Sequence, residues 1–350
     1  MLYKNSLLIF FCFFLLFVKV FAISQTELNL YGDEAQYWLW SQALDFGYFS
    51  KPPFLAWLIF VVSNFFGDSF FVLKMIPVSL YVLSSLMIYF LSKKLYGNVD
   101  FAILAATSFF LMPAVTFSSF LISTDILLIF FWIASMMLVL KIIEEPKTIS
   151  LFFLGLFLGF AFLSKYAAIY FLISLLLFFI FEKKKYYRVL TNPLGILIFV
   201  STLVVVISPN IYWNYNNGWN TFFHTAENAS LNNININFVG GINFLLSQIV
   251  MMGFLLVLSF FYYLSKISFV SFEDRFLLSF GLPAFTIVFV EAFLVRSHAN
   301  WAAVSLVSFF VLFLFKVYCL NLKLVYFNNY LSLCVGLILF VLISLNLSLS

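Results

Sequence analysis

The sequence predicts an all-α, polytopic integral membrane protein. Of its 350 residues, 65% are hydrophobic and 9% are charged, whereas soluble domains carry about 25% charged residues. Apolar runs of about 18 or more residues recur along the chain, and each is long enough to cross the hydrocarbon core as a helix. Because an unbroken helix satisfies its own backbone groups in lipid, we expect these runs to be transmembrane helices.

The first apolar run, near residues 7–23, has two interpretations. Lys4, the stretch from Leu7 to Val18 and the small residue Ala22 are also typical of a cleavable signal peptide. Lys19 interrupts the approach to a cleavage site, which favours an uncleaved first span. Under either interpretation the chain reaches the outer side of the membrane before residue 33.

A long outer segment follows, from residue 24 to about residue 69. Within it, Glu34 to Leu44 and Phe54 to Phe66 are predicted to be short amphipathic or partly embedded helices at the membrane surface. Their tryptophans suit that depth, since aromatic rings with a polar edge collect at headgroup level.

The remaining apolar runs give about eleven crossings in all. The ten further spans are predicted near 69–91, 101–121, 125–141, 149–164, 167–181, 194–211, 242–264, 276–294, 301–318 and 330–348. We expect one membrane-embedded domain over residues 1–350, without a soluble C-terminal domain.

If the N-terminus lies in the cytoplasm, the alternating spans place most lysines and arginines in the inner loops, as the positive-inside rule requires. The same alternation sends an unusual set of polar residues outward on five separate loops, which predicts a single site at the outer face. The set comprises Asp33, Glu34, Lys51, Asp125, Lys165, His224, Glu227, Arg296, His298 and Asn300.

Structural alternatives exist for these residues. Asp33 precedes a helical pattern with Gln36 three residues on, so it is also a candidate N-cap. Glu34 would then only interact favourably with the positive end of the helix dipole. Lys51 is either a snorkelling lysine or a cation presented to a lipid phosphate from the stiff segment that Pro52 and Pro53 create.

Other polar residues carry weaker signals. Lys165 and Arg296 end apolar runs, where snorkelling explains lysines and arginines equally well. Lys74 and Glu291 fall inside predicted spans, and the sequence assigns neither a partner nor a role. His224 and His298 lack the spacing of a zinc motif. The three cysteines, Cys12, Cys319 and Cys334, lie in apolar runs without a CxxC spacing.

Several ordered motifs carry a family resemblance that spans Gly32 to Ala303. They are "GDEAQYWLWSQ" at 32–42, "GYFSKPPFLAWLI" at 47–59, "LISTDILLIFFW" at 121–132, "GFAFLSKYA" at 159–167, and "SPNIYWNYNNGWNTFFHT" at 208–225 with "ANWAA" at 299–303. The chain resembles the bacterial polyprenyl-phosphate-sugar-dependent glycosyltransferases of the dolichyl-phosphate-mannose-protein mannosyltransferase-like superfamily, which includes the aminoarabinose transferases and has the GT-C fold.

The resemblance implies an inverting glycosyltransferase that moves one sugar from a polyprenyl phosphate to an acceptor on the outer face of the bacterial cytoplasmic membrane. The acceptor would be lipid A or lipopolysaccharide, a polysaccharide or a protein. Asp33 would be the general base with Glu34 assisting it, and Lys51 would contact the donor phosphate, with Lys165 and Arg296 as further cations. Weaker candidates for substrate binding are Tyr37, Trp38, Asp125, His224, His298, Asn300 and Trp301.

One departure concerns metal dependence. Some aminoarabinose transferases carry a metal-associated glutamate immediately before Lys-Pro-Pro, whereas this chain has Ser50. A divalent metal ion is therefore an open cofactor assignment, and no other cofactor is expected. A transporter or flippase for a lipid-linked sugar is the alternative function, although charges in outer loops rather than at the bilayer midplane favour the enzyme. A degenerate, non-catalytic scaffold is a third possibility.

Overall fold

A computed structural model describes residues 2–228, 236–295 and 297–345, and the side chains of residues 5–227, 236–295 and 297–345. These residues form α-helices joined by short turns, with no strand among them. The helices are α1 (Leu2–Gln25), α2 (Gly32–Ser41), α3 (Phe54–Phe66), α4 (Phe70–Tyr96), α5 (Val99–Leu111), α6 (Pro113–Ser118), α7 (Thr124–Glu144), α8 (Thr148–Ser164), α9 (Ile169–Phe181), α10 (Lys183–Leu190), α11 (Pro193–Asn216), α12 (Asn220–Asn228), α13 (Phe238–Met252), α14 (Phe254–Tyr262), α15 (Phe272–Leu294), α16 (Ala303–Leu320) and α17 (Leu322–Ser344).

The predicted fold class, a polytopic all-α membrane protein, is confirmed. Within the described ranges, seven helices are long and apolar enough to cross a membrane, or up to nine if each of two bent helix pairs is one span. The shorter apolar helices α5 and α8 coincide with two further predicted spans. Counting both would give eleven crossings, so the predicted number is compatible with the structure and stays a prediction.

Two predicted spans are not continuous helices. The predicted span 101–121 divides into α5 and α6 at Met112, whose ψ of 133° is the extended backbone that a following proline favours. The predicted span 242–264 bends by 104° between α13 and α14. Gly253 occupies the bend with φ +110°, a conformation that residues with a Cβ rarely adopt.

Helix α7 lies at the centre of the bundle and packs against α8, α4 and α16. Its Trp132 is completely buried. Since a helix surrounded by other helices has little freedom to tilt or slide, the N-terminus of α7 holds Asp125 in a fixed place.

The two short helices predicted in the first outer segment are present as α2 and α3. Helix α2 starts two residues earlier than predicted and packs against α3, which in turn contacts α4 and α8. The segment between α2 and α3, residues 42–53, carries Lys51 across the outer ends of these helices. We call it the lysine loop.

Candidate active site

A cavity of about 710 Å³ opens at the outer ends of the helices. Each of the five outer loops identified from the sequence contributes at least one side chain to its wall. The predicted site residues that line it are Asp33, Tyr37, Lys51, Asp125, Lys165, His224, His298, Asn300 and Trp301. The structure therefore brings together the residues that the sequence analysis placed on one face of the membrane.

Asp33 is the second residue of α2, and its side chain lines the cavity. The capping alternative is wrong, because Tyr31 occupies the N-cap position. Asp33 is exposed and has no hydrogen-bond or ion-pair partner among the described residues. The cavity therefore holds a carboxyl group that no protein side chain occupies.

Glu34 does not share the cavity with Asp33. Its buried carboxylate accepts hydrogen bonds from Lys74 Nζ at 2.7 and 2.8 Å, from the backbone N–H of Ile122 at 2.7 Å and from that of Tyr31 at 2.8 Å. Consecutive helical residues point in different directions, which explains why the adjacent acids separate. The geometry assigns Glu34 to holding α2 against α4 and the turn before α7, and offers no basis for its predicted assistance to Asp33.

Lys51 projects into the cavity from the lysine loop and has no ion-pair partner among the described residues. Burial lowers the pKa of its ammonium, and the neighbouring Lys165 cation lowers it further, against smaller opposing effects from Asp125 and Asp33. A half-buried ammonium beside a second cation is stabilised by binding an anion. This arrangement suits the phosphate of a ligand.

Side chains from α11 and from Tyr166 hold the lysine loop in place. The α11 residues belong to the motif at 208–225, to which the sequence analysis assigned no role. Asn210 donates to the carbonyl of Phe46 at 2.7 Å, and Trp213 Nε1 donates to Asp45 Oδ2 at 2.6 Å. Tyr166 in turn donates to Asn210 Oδ1 at 2.8 Å. These bonds fix the lysine loop relative to α11.

Asp125 connects two further predicted residues. Its Oδ1 accepts a hydrogen bond from Lys165 Nζ at 2.6 Å, and its Oδ2 accepts one from Asn300 Nδ2 at 2.8 Å. The Lys165 ammonium has three donors, so this ion pair leaves capacity for a ligand. Asp125 thus joins the ends of three distant chain segments at the cavity wall.

Aromatic rings complete the wall. Tyr37 is buried, and its pKa is raised by desolvation and by the carboxylate of Asp33. The ring centroids of His224 and Phe49 are 4.9 Å apart, and those of His298 and Trp301 are 5.3 Å apart.

Besides Glu34, one predicted site residue among those the structure describes lies outside the cavity wall. Trp38 packs against the main hydrophobic core instead of lining the cavity. Arg296 lies outside the described residues.

Two residues that the sequence left unassigned now have positions. Lys74, inside α4, is the buried partner of Glu34. Glu291, near the end of α15, lines the cavity. Hydropathy marked both as charges within apolar runs, but a sequence alone does not show which charge faces a partner and which faces a cavity.

The described residues do not form a metal-ligand set. Over the ranges given above, no group of three or more histidine, cysteine, aspartate or glutamate side chains is placed to hold a metal ion. Ser50 lines the cavity at the position where the resemblance suggested a metal-associated glutamate.

A second, largely apolar cavity of about 840 Å³ adjoins the first. The two share Ser123, Asp125 and Asn300 in their walls. The second cavity is otherwise lined mainly by apolar residues of α5, α6, α13, α16 and α17. A polar chamber that continues into an apolar one suits a lipid with a charged headgroup.

Comparisons with known proteins confirm the resemblance inferred from the motifs. Residues 50–213 match the family described as dolichyl-phosphate-mannose-protein mannosyltransferase. The chain is 28% identical over 308 residues to the lipid A galacturonosyltransferase RgtD of Rhizobium johnstonii, an alignment that covers 86% of this chain and 63% of the relative.

The fold is also found among solved structures. The crystal structure of ArnT from Cupriavidus metallidurans bound to undecaprenyl phosphate superposes with a TM-score of 0.71 at 15% identity, covering 96% of this chain and 63% of ArnT. Its apo form gives 0.69 at 16% identity, covering 89% and 59%. The chain therefore has the ArnT fold, and it spans less than two thirds of the length of each of these relatives.

Proposed function

We propose that the protein transfers a sugar from a polyprenyl-phosphate donor to an acceptor hydroxyl at the outer face of the cytoplasmic membrane. The observation that carries this proposal is the shared cavity of Asp33 and Lys51: a free carboxylate and an unpaired ammonium, from different segments, face one chamber. The transferase relative and the ArnT fold support it.

Asp33 acts as the general base. Its carboxylate takes the proton of the acceptor hydroxyl as that oxygen forms a bond to the anomeric carbon of the sugar. The bond between the anomeric carbon and the phosphate oxygen breaks on the opposite side, and its electron pair leaves with the phosphate. A single displacement of this kind inverts the anomeric configuration.

Lys51 and Lys165 stabilise the leaving group. The departing lipid phosphate gains negative charge in the transition state, and ammonium groups placed beside it lower the barrier. Lys51 provides a free ammonium, and Lys165 provides the donors that Asp125 leaves unused. Because phosphate is a good leaving group, no second carboxylate is required as a general acid.

The apolar cavity receives the lipid chain of the donor while the headgroup occupies the polar cavity. Their shared wall at Asp125 and Asn300 is the point where headgroup and chain would meet. A lipid acceptor of the lipid A type is the acceptor class that the galacturonosyltransferase relative supports. The transporter alternative has no comparable support among these relatives.

The direct test is reconstitution. The purified chain in lipid nanodiscs is given a radiolabelled sugar on undecaprenyl phosphate together with lipid A, and extracted lipids are resolved by chromatography and mass spectrometry. We expect label to reach lipid A, and none to do so when the same sugar is supplied on a nucleotide diphosphate. Movement of the donor across vesicle bilayers without any glycosyl transfer would instead support the transporter.

A further inference from the structure

We propose that Glu291 selects the donor sugar by hydrogen-bonding the hydroxyl groups of a sugar without a carboxylate and by disfavouring a uronic acid. This inference rests on the proposed function and specifies its substrate class. Glu291 lies in the last turn of α15, on the wall of the polar cavity.

The surroundings of Glu291 are built to keep it there. Val288 and Ala292 of the same helix pack with Phe244 and Ala302 in a small cluster, which we call the outer cluster. Tyr170 and Trp301 pack against the outer cluster and also line the cavity. Glu291 therefore stands on a rigid, partly aromatic wall, of the kind that fixes the orientation of a small ligand.

Glu291 is half-buried and has no hydrogen-bond or ion-pair partner among the described residues. The carboxylate of Asp125 differs, because Lys165 and Asn300 already occupy it. A partly desolvated carboxylate without a protein partner gains hydrogen bonds when a ligand presents hydroxyl donors to it.

Glu291 lines the same cavity as Lys51 and Lys165. A donor whose phosphate rests on the two lysines therefore holds its sugar in the chamber that Glu291 lines.

The charge of the wall opposes an acidic sugar. Among the described lining residues, three carboxylates face two lysine ammonium groups, and the donor phosphate brings a further negative charge to those lysines. A uronic acid would place its carboxylate in the cavity that Asp33 and Glu291 line, and the ionised forms of both side chains repel it.

The test uses two donors that differ only at C6 of the sugar: undecaprenyl-phosphate-galactose and undecaprenyl-phosphate-galacturonic acid of the same anomer. Each competes with labelled undecaprenyl phosphate for the full-length chain in nanodiscs. We expect the galactose donor to bind roughly 10-fold more tightly or better, a difference of about 1.4 kcal/mol. In Glu291→Gln this ratio should fall to about 3-fold or less, because the amide does not repel a carboxylate.

The matched control is Glu227→Gln, which removes an exposed carboxylate of α12 that does not line the cavity. It should keep the wild-type ratio, and all three proteins should bind undecaprenyl phosphate equally. Equal or tighter binding of the galacturonic acid donor by the wild type, or an unchanged ratio in Glu291→Gln, overturns the selectivity. Failure of labelled undecaprenyl phosphate to bind at all would instead overturn the proposed function, and this inference with it.

Discussion

At the scale of single residues, the site depends on which side chains have partners and which do not. Asp33 and Glu34 are adjacent in sequence, yet one faces the cavity and the other is buried against Lys74. The acidic pair was predicted to act together. The turn of 100° per residue in a helix is the signal that could have separated them.

The charge state of Lys51 gives a pH prediction. Burial and the Lys165 cation lower its pKa below the ordinary lysine value of 10.5, so its ammonium is lost at a lower pH than that of a free lysine. Bound donor phosphate favours the charged form. We therefore expect the KM for the donor to rise on the alkaline side, measured as a pH profile of kcat/KM.

Lys51→Arg should extend activity to higher pH, because guanidinium stays protonated above pH 12. Lys51→Met should raise the KM at every pH and abolish this alkaline limb. Lys323→Met, at an exposed position away from the cavity, is the control and should leave the profile unchanged. If the alkaline limb persists in Lys51→Met, the group whose deprotonation causes it is not Lys51.

At the scale of elements, hydropathy predicted where the chain becomes helical but not where helices break. The division of the span 101–121 at Met112 had a visible signal in Pro113. The bend at Gly253 depends on a positive φ, which the apolar character of the surrounding residues does not reveal. The two short helices of the first outer segment were predictable because their apolar faces and turn residues agree.

The buried Glu34–Lys74 pair joins α2 to α4, so its loss should loosen the segment that carries Asp33. Lys74→Met leaves the Glu34 carboxylate buried without its cation, and breaking such a pair costs about 3–5 kcal/mol. We expect a lower midpoint of thermal unfolding in detergent. Lys94→Met, which breaks the exposed Lys94–Glu144 pair, should cost about 1 kcal/mol or less.

A double variant distinguishes a structural Glu34 from a catalytic one. Glu34→Gln combined with Lys74→Met removes both buried charges and should recover part of the lost stability. If Glu34 only positions α2, the folded double variant keeps substantial transfer activity. An inactive but fully folded double variant would restore Glu34 to the chemistry.

The lysine loop depends on a close approach between Gly47 and α11. A Cβ at Gly47 would lie 2.4 Å from the ring of Trp213, so Gly47→Val should displace the loop and Lys51 with it. Misplacement of a group that positions the substrate typically reduces the reaction rate by roughly 10- to 100-fold. Here we expect a rise of that order in the KM for the donor. Gly32→Ala, whose Cβ would meet nothing within 4 Å, should leave donor use unchanged. Equal effects of both substitutions would contradict this role of the loop.

At the scale of the whole molecule, the convergence of five outer loops was predictable from the alternation of spans and the positive-inside rule. The pairings inside the site were not. The Lys165–Asp125 ion pair joins residues 40 positions apart, and the Asn300–Asp125 hydrogen bond joins residues 175 apart. Such contacts depend on how α7, α8 and α16 pack, which no local pattern encodes.

The account as a whole depends on Asp33 as the base within this assembled cavity. Loss of a general base typically costs about 10²–10⁴-fold in rate, and Asp33→Asn keeps the size of the side chain while removing its basicity. Asp33 is exposed and without a protein partner, so the variant should fold and insert normally. Asp68→Asn, in the exposed turn before α4, is the matched control.

The most direct measurement is the initial rate of sugar transfer from undecaprenyl phosphate to lipid A by Asp33→Asn, Asp68→Asn and the wild type, at equal amounts of folded protein. The account predicts a loss of at least about 100-fold in Asp33→Asn alone. A rate for folded Asp33→Asn equal to that of the wild type would contradict it.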